Sequence, residues 1–105
     1  MKDLVFRTAQ KEVISSQVRY MVMLSEDNTS GSLPFVIYVK AGDMNYDRLV
    51  SLLININYSN DGMQAIINNY LLDKDDEKVM QEFNDMQEWR KKCKSVAKRI
   101  LTCFN

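Results

Sequence analysis

Partway along the chain the hydrophobic pattern changes period, from two to about 3.6 residues, and that switch leaves few architectures open. In the first forty residues, Val18, Tyr20, Val22 and Leu24 alternate with Arg19, Met21 and Met23. Leu33, Phe35, Ile37 and Val39 alternate in the same way with Pro34, Val36, Tyr38 and Lys40. Alternation enriched in β-branched and aromatic side chains predicts two strands. Between them Ser25 to Ser32 carries Glu26, Asp27, Asn28 and Gly31, a polar run suited to a hairpin loop longer than two residues. Pro34 lacks an amide hydrogen and marks an edge strand or a strand's first residue. Further upstream, Leu4 to Thr8 reads as a weaker strand, with Val13 and Ile14 as its return partner around Gln10 to Glu12. A helix competes for these first 16 residues.

Gly42 and Asp43 end the alternation, and the apolar spacing then becomes helical. Tyr46, Leu49, Val50, Leu53 and Ile56 share one stripe, with Asn45 or Asp43 placed to cap it. The tail of that segment, Leu53 to Tyr58, also alternates, so a strand competes there. Asn57 to Gly62 predicts a turn. Met63, Ile66, Ile67, Tyr70 and Leu71 then follow at i, i+3, i+4, i+7 and i+8, the amphipathic helical spacing. Asp73, Asp75, Asp76 and Glu77 open a third helix, where acidic side chains satisfy free amide groups and oppose the helix dipole. It runs from about Asp75 to about Cys103, roughly 40 Å. Val79, Phe83, Met86, Trp89, Cys93, Val96, Ile100 and Phe104 form its apolar face, and Glu88 is spaced to pair with Lys92.

These elements predict an α+β fold: a small antiparallel sheet from the N-terminal half, packed against about three helices from the C-terminal half, the last one long. Each half presents one apolar face that it cannot bury alone. With 105 residues, 46% hydrophobic and 27% charged, the chain supports one domain, residues 1–105, with enough apolar surface to fold.

Chemistry is sparsely provided. The chain has no histidine and two cysteines, which removes the usual general base near neutral pH and leaves too few ligands for a structural zinc site. Asp73, Asp75 and Glu77 imitate the opening of a calcium loop. Lys78 stands where that loop needs glycine, and Asn84 where it needs glutamate. Gly31, Gly42 and Gly62 are isolated, so no glycine-rich loop cradles a phosphate. Asn28-Thr29-Ser30 and Asn57-Tyr58-Ser59 match the short glycosylation pattern, which carries meaning only in a secreted chain. The expectation is a non-enzymatic protein with no cofactor.

Cys93 and Cys103, ten positions apart on one helix, lie about 15 Å apart along its axis, beyond the reach of a disulfide. Both are expected to be reduced packing residues. Fourteen basic and fourteen acidic residues cancel, so no overall field draws the chain to nucleic acid or membrane. The first residues after Met1 lack the apolar core of a signal peptide, and no uncharged apolar run approaches a membrane span. A cytoplasmic protein is expected.

Two surfaces remain as candidates. The long helix outruns so small a sheet, so its stripe of Met86, Trp89, Cys93, Val96 and Ile100 is expected to meet a partner or a second copy. Arg90, Lys94 and Lys98 form a ladder one turn apart with Lys91 beside it, a strip that fits phosphates. Nucleic acid is the less favoured partner, because the aromatic interleaving of a base-stacking surface is missing. Seven methionines, among them Met21, Met23, Met44, Met63, Met80 and Met86, fit either an adaptable interface or core filling.

Tyr58-Ser59, Ala65-Ile66, Asn69-Tyr70, Glu88-Trp89-Arg90, Lys94 and Lys98 together resemble small, mostly uncharacterised phage or prophage proteins. Those proteins join a β-rich front to a helical tail ending in a Trp-Arg-Lys cluster. The resemblance covers about residues 46–101 and implies an accessory role of the tail-assembly kind, with no catalytic motif. The expected function is a protein-interaction module, homo-oligomeric or bound to another protein. A small nucleic-acid-binding protein is the alternative.

Overall fold

The computed structural model describes residues 3–26 and 33–104. Three strands, β1 (Val5–Ile14), β2 (Gln17–Ser25) and β3 (Phe35–Lys40), form an antiparallel sheet in the order β1-β2-β3. A single 3-10 turn at Ala41–Asp43 leads into three helices, α1 (Tyr46–Ile54), α2 (Asn60–Leu72) and α3 (Glu77–Thr102). The fold is α+β with a long last helix, as the change of period predicts.

The N-terminal segment departs from expectation in its turn. Residues 5–14 make one continuous strand rather than a hairpin around Gln10 to Glu12, and the helical alternative is excluded. The chain reverses instead at Ser15 and Ser16, whose φ angles are 50° and 68°. Both lie in the left-handed region, the geometry of a tight hairpin turn usually built from Asn and Gly. A bulge at Arg7, between the pairs Phe6↔Leu24 and Thr8↔Met23, keeps Phe6 and Ala9 on the apolar side. Leu33, expected within the next strand, lies outside it and is exposed, because β3 starts after Pro34. The loop expected between β2 and β3 lies largely outside the described residues, as does Asn28-Thr29-Ser30.

Each helix starts where its cap allows. The Asn45 side chain accepts from the Arg48 N–H at 3.0 Å, Ser59 from Gly62 at 2.9 Å, and Asp76 from Lys78 and Val79 at 2.9 and 3.1 Å. The strand alternative for Leu53 to Tyr58 fails: the helix ends at Ile54, whose carbonyl accepts from the N–H groups of Asn57 and Tyr58.

The core sits between one face of the sheet and the C-terminal two thirds of α3, closed by α1. Leu4, Val22, Leu24 and Val39 meet Leu49, Leu53 and Ile54 of α1 and Trp89, Cys93, Val96, Ala97 and Ile100 of α3. Tyr20 closes one end against Phe104, edge to face at 4.7 Å between ring centres. By contrast α2 buries no residue fully: Met63 near its start touches the core, and Tyr70 stacks on Phe83 of α3 at 3.9 Å between ring centres. The two helices thus make an arm. The molecule measures 53 × 32 × 21 Å, with a radius of gyration of 15.8 Å. A compact chain of this length would give about 13 Å.

Candidate functional site

The stripe expected to meet a partner faces inward. Met86, Cys93 and Ile100 are fully buried and Trp89 and Val96 nearly so, and α1 together with the sheet covers all of them except Met86, which is buried outside that cluster. Trp89 Nε1 donates to the Ile54 carbonyl at 3.3 Å, tying α3 to the end of α1. Helical spacing correctly identified an apolar face but not what lies on it. The reading of these five residues as an outer surface is therefore corrected: all five are buried, and for Trp89, Cys93, Val96 and Ile100 α1 supplies the cover that the small sheet lacks.

The cysteines also separate. Cys93 is buried, and burial pushes its thiol up to about 12, whereas Cys103 is exposed and does not serve as the packing residue expected. Neither forms a disulfide.

The basic ladder is partly engaged. Lys91 Nζ lies 3.4 Å from Glu88, and Lys92 reaches Asp3 at 3.1 Å instead of pairing with Glu88. The Arg99 guanidinium sits 5.6 Å from the centre of the Phe6 ring. Arg90 is half-buried, and Lys94 and Lys98 are exposed without an ion pair among the described residues. Asp76 is used as a helix cap, and the described residues bring no three acidic or cysteine side chains into a metal-binding group. Among them no helix is long and apolar enough to cross a membrane.

The surface that remains is the other side of the sheet. Because successive side chains of a strand point to opposite faces, burying Tyr20, Val22 and Leu24 turns Arg19, Met21 and Met23 outward. The register places Tyr38 beside Met21 and Val36 beside Met23. Val36 and Tyr38 are 39% and 56% exposed, so four large apolar side chains form a patch with no helix on it. Polar groups frame the patch. Arg19 pairs with Glu12 at 3.0 Å and lies 4.3 Å from the centre of the Tyr38 ring, and at the other end Arg7 Nε donates to the buried Ser25 hydroxyl at 2.9 Å. An open groove of about 760 Å³ at the end of the sheet is lined by Ile14, Val18, Arg19, Tyr38, Val39 and Lys40.

Sequence reasoning passed over this patch while using its residues. Its signal was that Met21, Met23, Val36 and Tyr38 occupy the positions between the core residues, where a sheet wetted on one side carries polar side chains. Geometrically the assembly is a helix-backed three-stranded sheet whose outer apolar face and β3 edge meet no other element among the described residues. Compared with known proteins, the chain matches no family model, no curated protein and no solved structure.

Proposed function

We propose that this chain is a non-enzymatic protein-interaction module that docks through the uncovered side of its sheet. The observation that carries the reading is the Met21, Met23, Val36 and Tyr38 patch, framed by polar groups on the face that its own helices leave bare. Methionine and tyrosine suit such a role, since one adapts its shape and the other offers a large rigid ring with a polar tip. The likeness of residues 46–101 to phage and prophage accessory proteins supports an assembly role in that setting.

A photo-crosslinking amino acid in place of Met21 or Tyr38, introduced in the cells that naturally carry the protein, tests the reading. Discrete protein adducts are expected from both positions and none from Asn84, an exposed position on α3. Adducts equally from all three, or none from the sheet, would overturn it.

A second reading, phosphate binding by a nucleic-acid interface, is favoured by one observation: Lys94 and Lys98 are exposed and unpaired among the described residues. A steep loss of nucleic-acid affinity with salt, abolished by Arg90→Glu, Lys94→Glu and Lys98→Glu together, would rank it first.

A further inference from the structure

We infer that the occupant of the free sheet edge is a second copy of this chain: β3 pairs antiparallel with its counterpart about a two-fold axis at Ile37, making one six-stranded sheet. The inference goes beyond the docking face: it concerns the edge beside the patch, and the pairing extends that patch and leaves it open.

The two edges of the sheet are built differently. β1 carries a bulge at Arg7 and charged Lys11 and Glu12, the devices that keep an edge from recruiting further strands. β3 has none of them over Phe35 to Val39, five consecutive apolar residues. Its backbone hydrogen bonds run to β2 alone, so half of its N–H and C=O groups face outward with no partner among the described residues. Pro34 and Lys40 guard only the ends of this strand, so the five apolar residues between them are a template for another strand.

The sequence of β3 is complementary to itself. Centred on Ile37, antiparallel pairing sets Val36 against the partner's Tyr38 and Phe35 against the partner's Val39. Both are aromatic to β-branched pairs, the combination favoured across strands. Side-chain parity is kept: Phe35, Ile37 and Val39 extend the covered face, while Val36 and Tyr38 double the open patch. Charge does not oppose the antiparallel sense, since Arg19 is already paired with Glu12 and Asp3 with Lys92 within each copy. The two Lys40 side chains stand about 20 Å apart along the strands. Such a dimer is narrow, at the weak and reversible end of the interface scale.

Sedimentation of the full chain across a hundredfold concentration range is the test. The mass is expected to rise from one copy to two. Val36→Lys with Tyr38→Lys places like charges opposite one another and is expected to hold the chain monomeric with unchanged circular dichroism. Val36→Lys with Tyr38→Glu places opposite charges there and is expected to restore the dimer. In a Cys103→Ser background, Ile37→Cys should form an intermolecular disulfide, since opposed residues of an antiparallel pair lie about 5 Å apart, whereas Thr8→Cys on β1 should not. A wild-type chain that stays monomeric, a dimer that survives the double lysine change, or bridging through Thr8→Cys would each overturn the pairing. If the chain is monomeric but positions 21 and 38 still give crosslinks, only the pairing falls. If neither dimer nor crosslink forms, the docking reading falls with it.

Discussion

Trp89 separates the two roles open to the long helix, and its substitution has a calculable cost. The side chain is 3% exposed, and its Nε1 donates to the Ile54 carbonyl at 3.3 Å. That carbonyl also accepts from the N–H groups of Asn57 and Tyr58, at 3.2 and 3.1 Å. Trp89→Phe therefore removes a donor without orphaning the acceptor, a loss of about 1 kcal/mol rather than a full desolvation penalty. The smaller ring gives up about 1 kcal/mol more in buried area. The sum, about 2 kcal/mol, should appear as a lower urea midpoint with an unchanged slope. Trp89→Ala leaves a cavity and should cost about 3–5 kcal/mol. Against a total of about 5–15 kcal/mol for a chain this size, that is a large share. Far-UV circular dichroism is the suitable probe, because either change removes the single tryptophan. A Trp89→Ala protein as stable as wild type but unable to associate would refute the argument and return Trp89 to the surface as an anchor.

The strained hairpin should be improvable: Ser15→Asn with Ser16→Gly, at φ angles of 50° and 68°, should raise stability by about 1 kcal/mol in urea unfolding, and a loss would refute the turn geometry. Stability should fall in alkali, since the Cys93 thiol is pushed from 9.0 up to about 12 by burial, and the Tyr58 phenol is raised from 10.0 by burial and by Asp85 and Glu82. The unfolded chain then releases protons that the folded chain keeps, so these groups' contribution is complete below about pH 9 and lost towards pH 12. Urea midpoints of wild type and Cys93→Ala across that window check it, and equal slopes would refute the thiol's part. In native-state hydrogen exchange, α2 should open before β2 or the second half of α3, because it buries no residue fully. Equal protection across the three would contradict an arm held by surface contacts.

Period alone located β2, β3 and the three helices, because their apolar residues face a core on one side and water or a thin cover on the other. It misplaced the first turn for a definite reason. Lys11 and Glu12 look like a loop, yet they belong to an edge strand, whose side chains are free to be charged. Ser15-Ser16 carries no glycine or asparagine to announce left-handed geometry. The long helix shows a different limit. Its stripe was legible, but the cover came from Leu49, Leu53 and Ile54, residues whose own stripe was also legible and whose docking partner was not. Periodicity describes one face at a time. Contacts between distant segments stayed hidden for the same reason: Lys92 has Glu88 one turn away and pairs with Asp3 instead.

The placement of charge on α3 weighs the two functional readings against each other. Asp73, Asp75, Asp76, Glu77, Glu82, Asp85 and Glu88 lie on or just before its first half, and Arg90, Lys91, Lys92, Lys94, Lys98 and Arg99 on its second. The acidic half belongs to the arm and the basic half backs the sheet, so a duplex lying along the helix would meet repulsion over half its contact length. Of the six cations, Lys91 and Lys92 are paired and Arg99 lies over Phe6, leaving Arg90, Lys94 and Lys98 for phosphates. Two or three contacts give a salt slope of about −2 to −3, the behaviour of non-specific binding. The apolar patch is not divided in this way. Its four large side chains are contiguous, with Val36 and Tyr38 exposed and Met21 and Met23 half-buried, and they adjoin a strand edge whose outward hydrogen-bonding groups have no partner among the described residues, so protein docking uses the whole surface where phosphate binding would use a fraction.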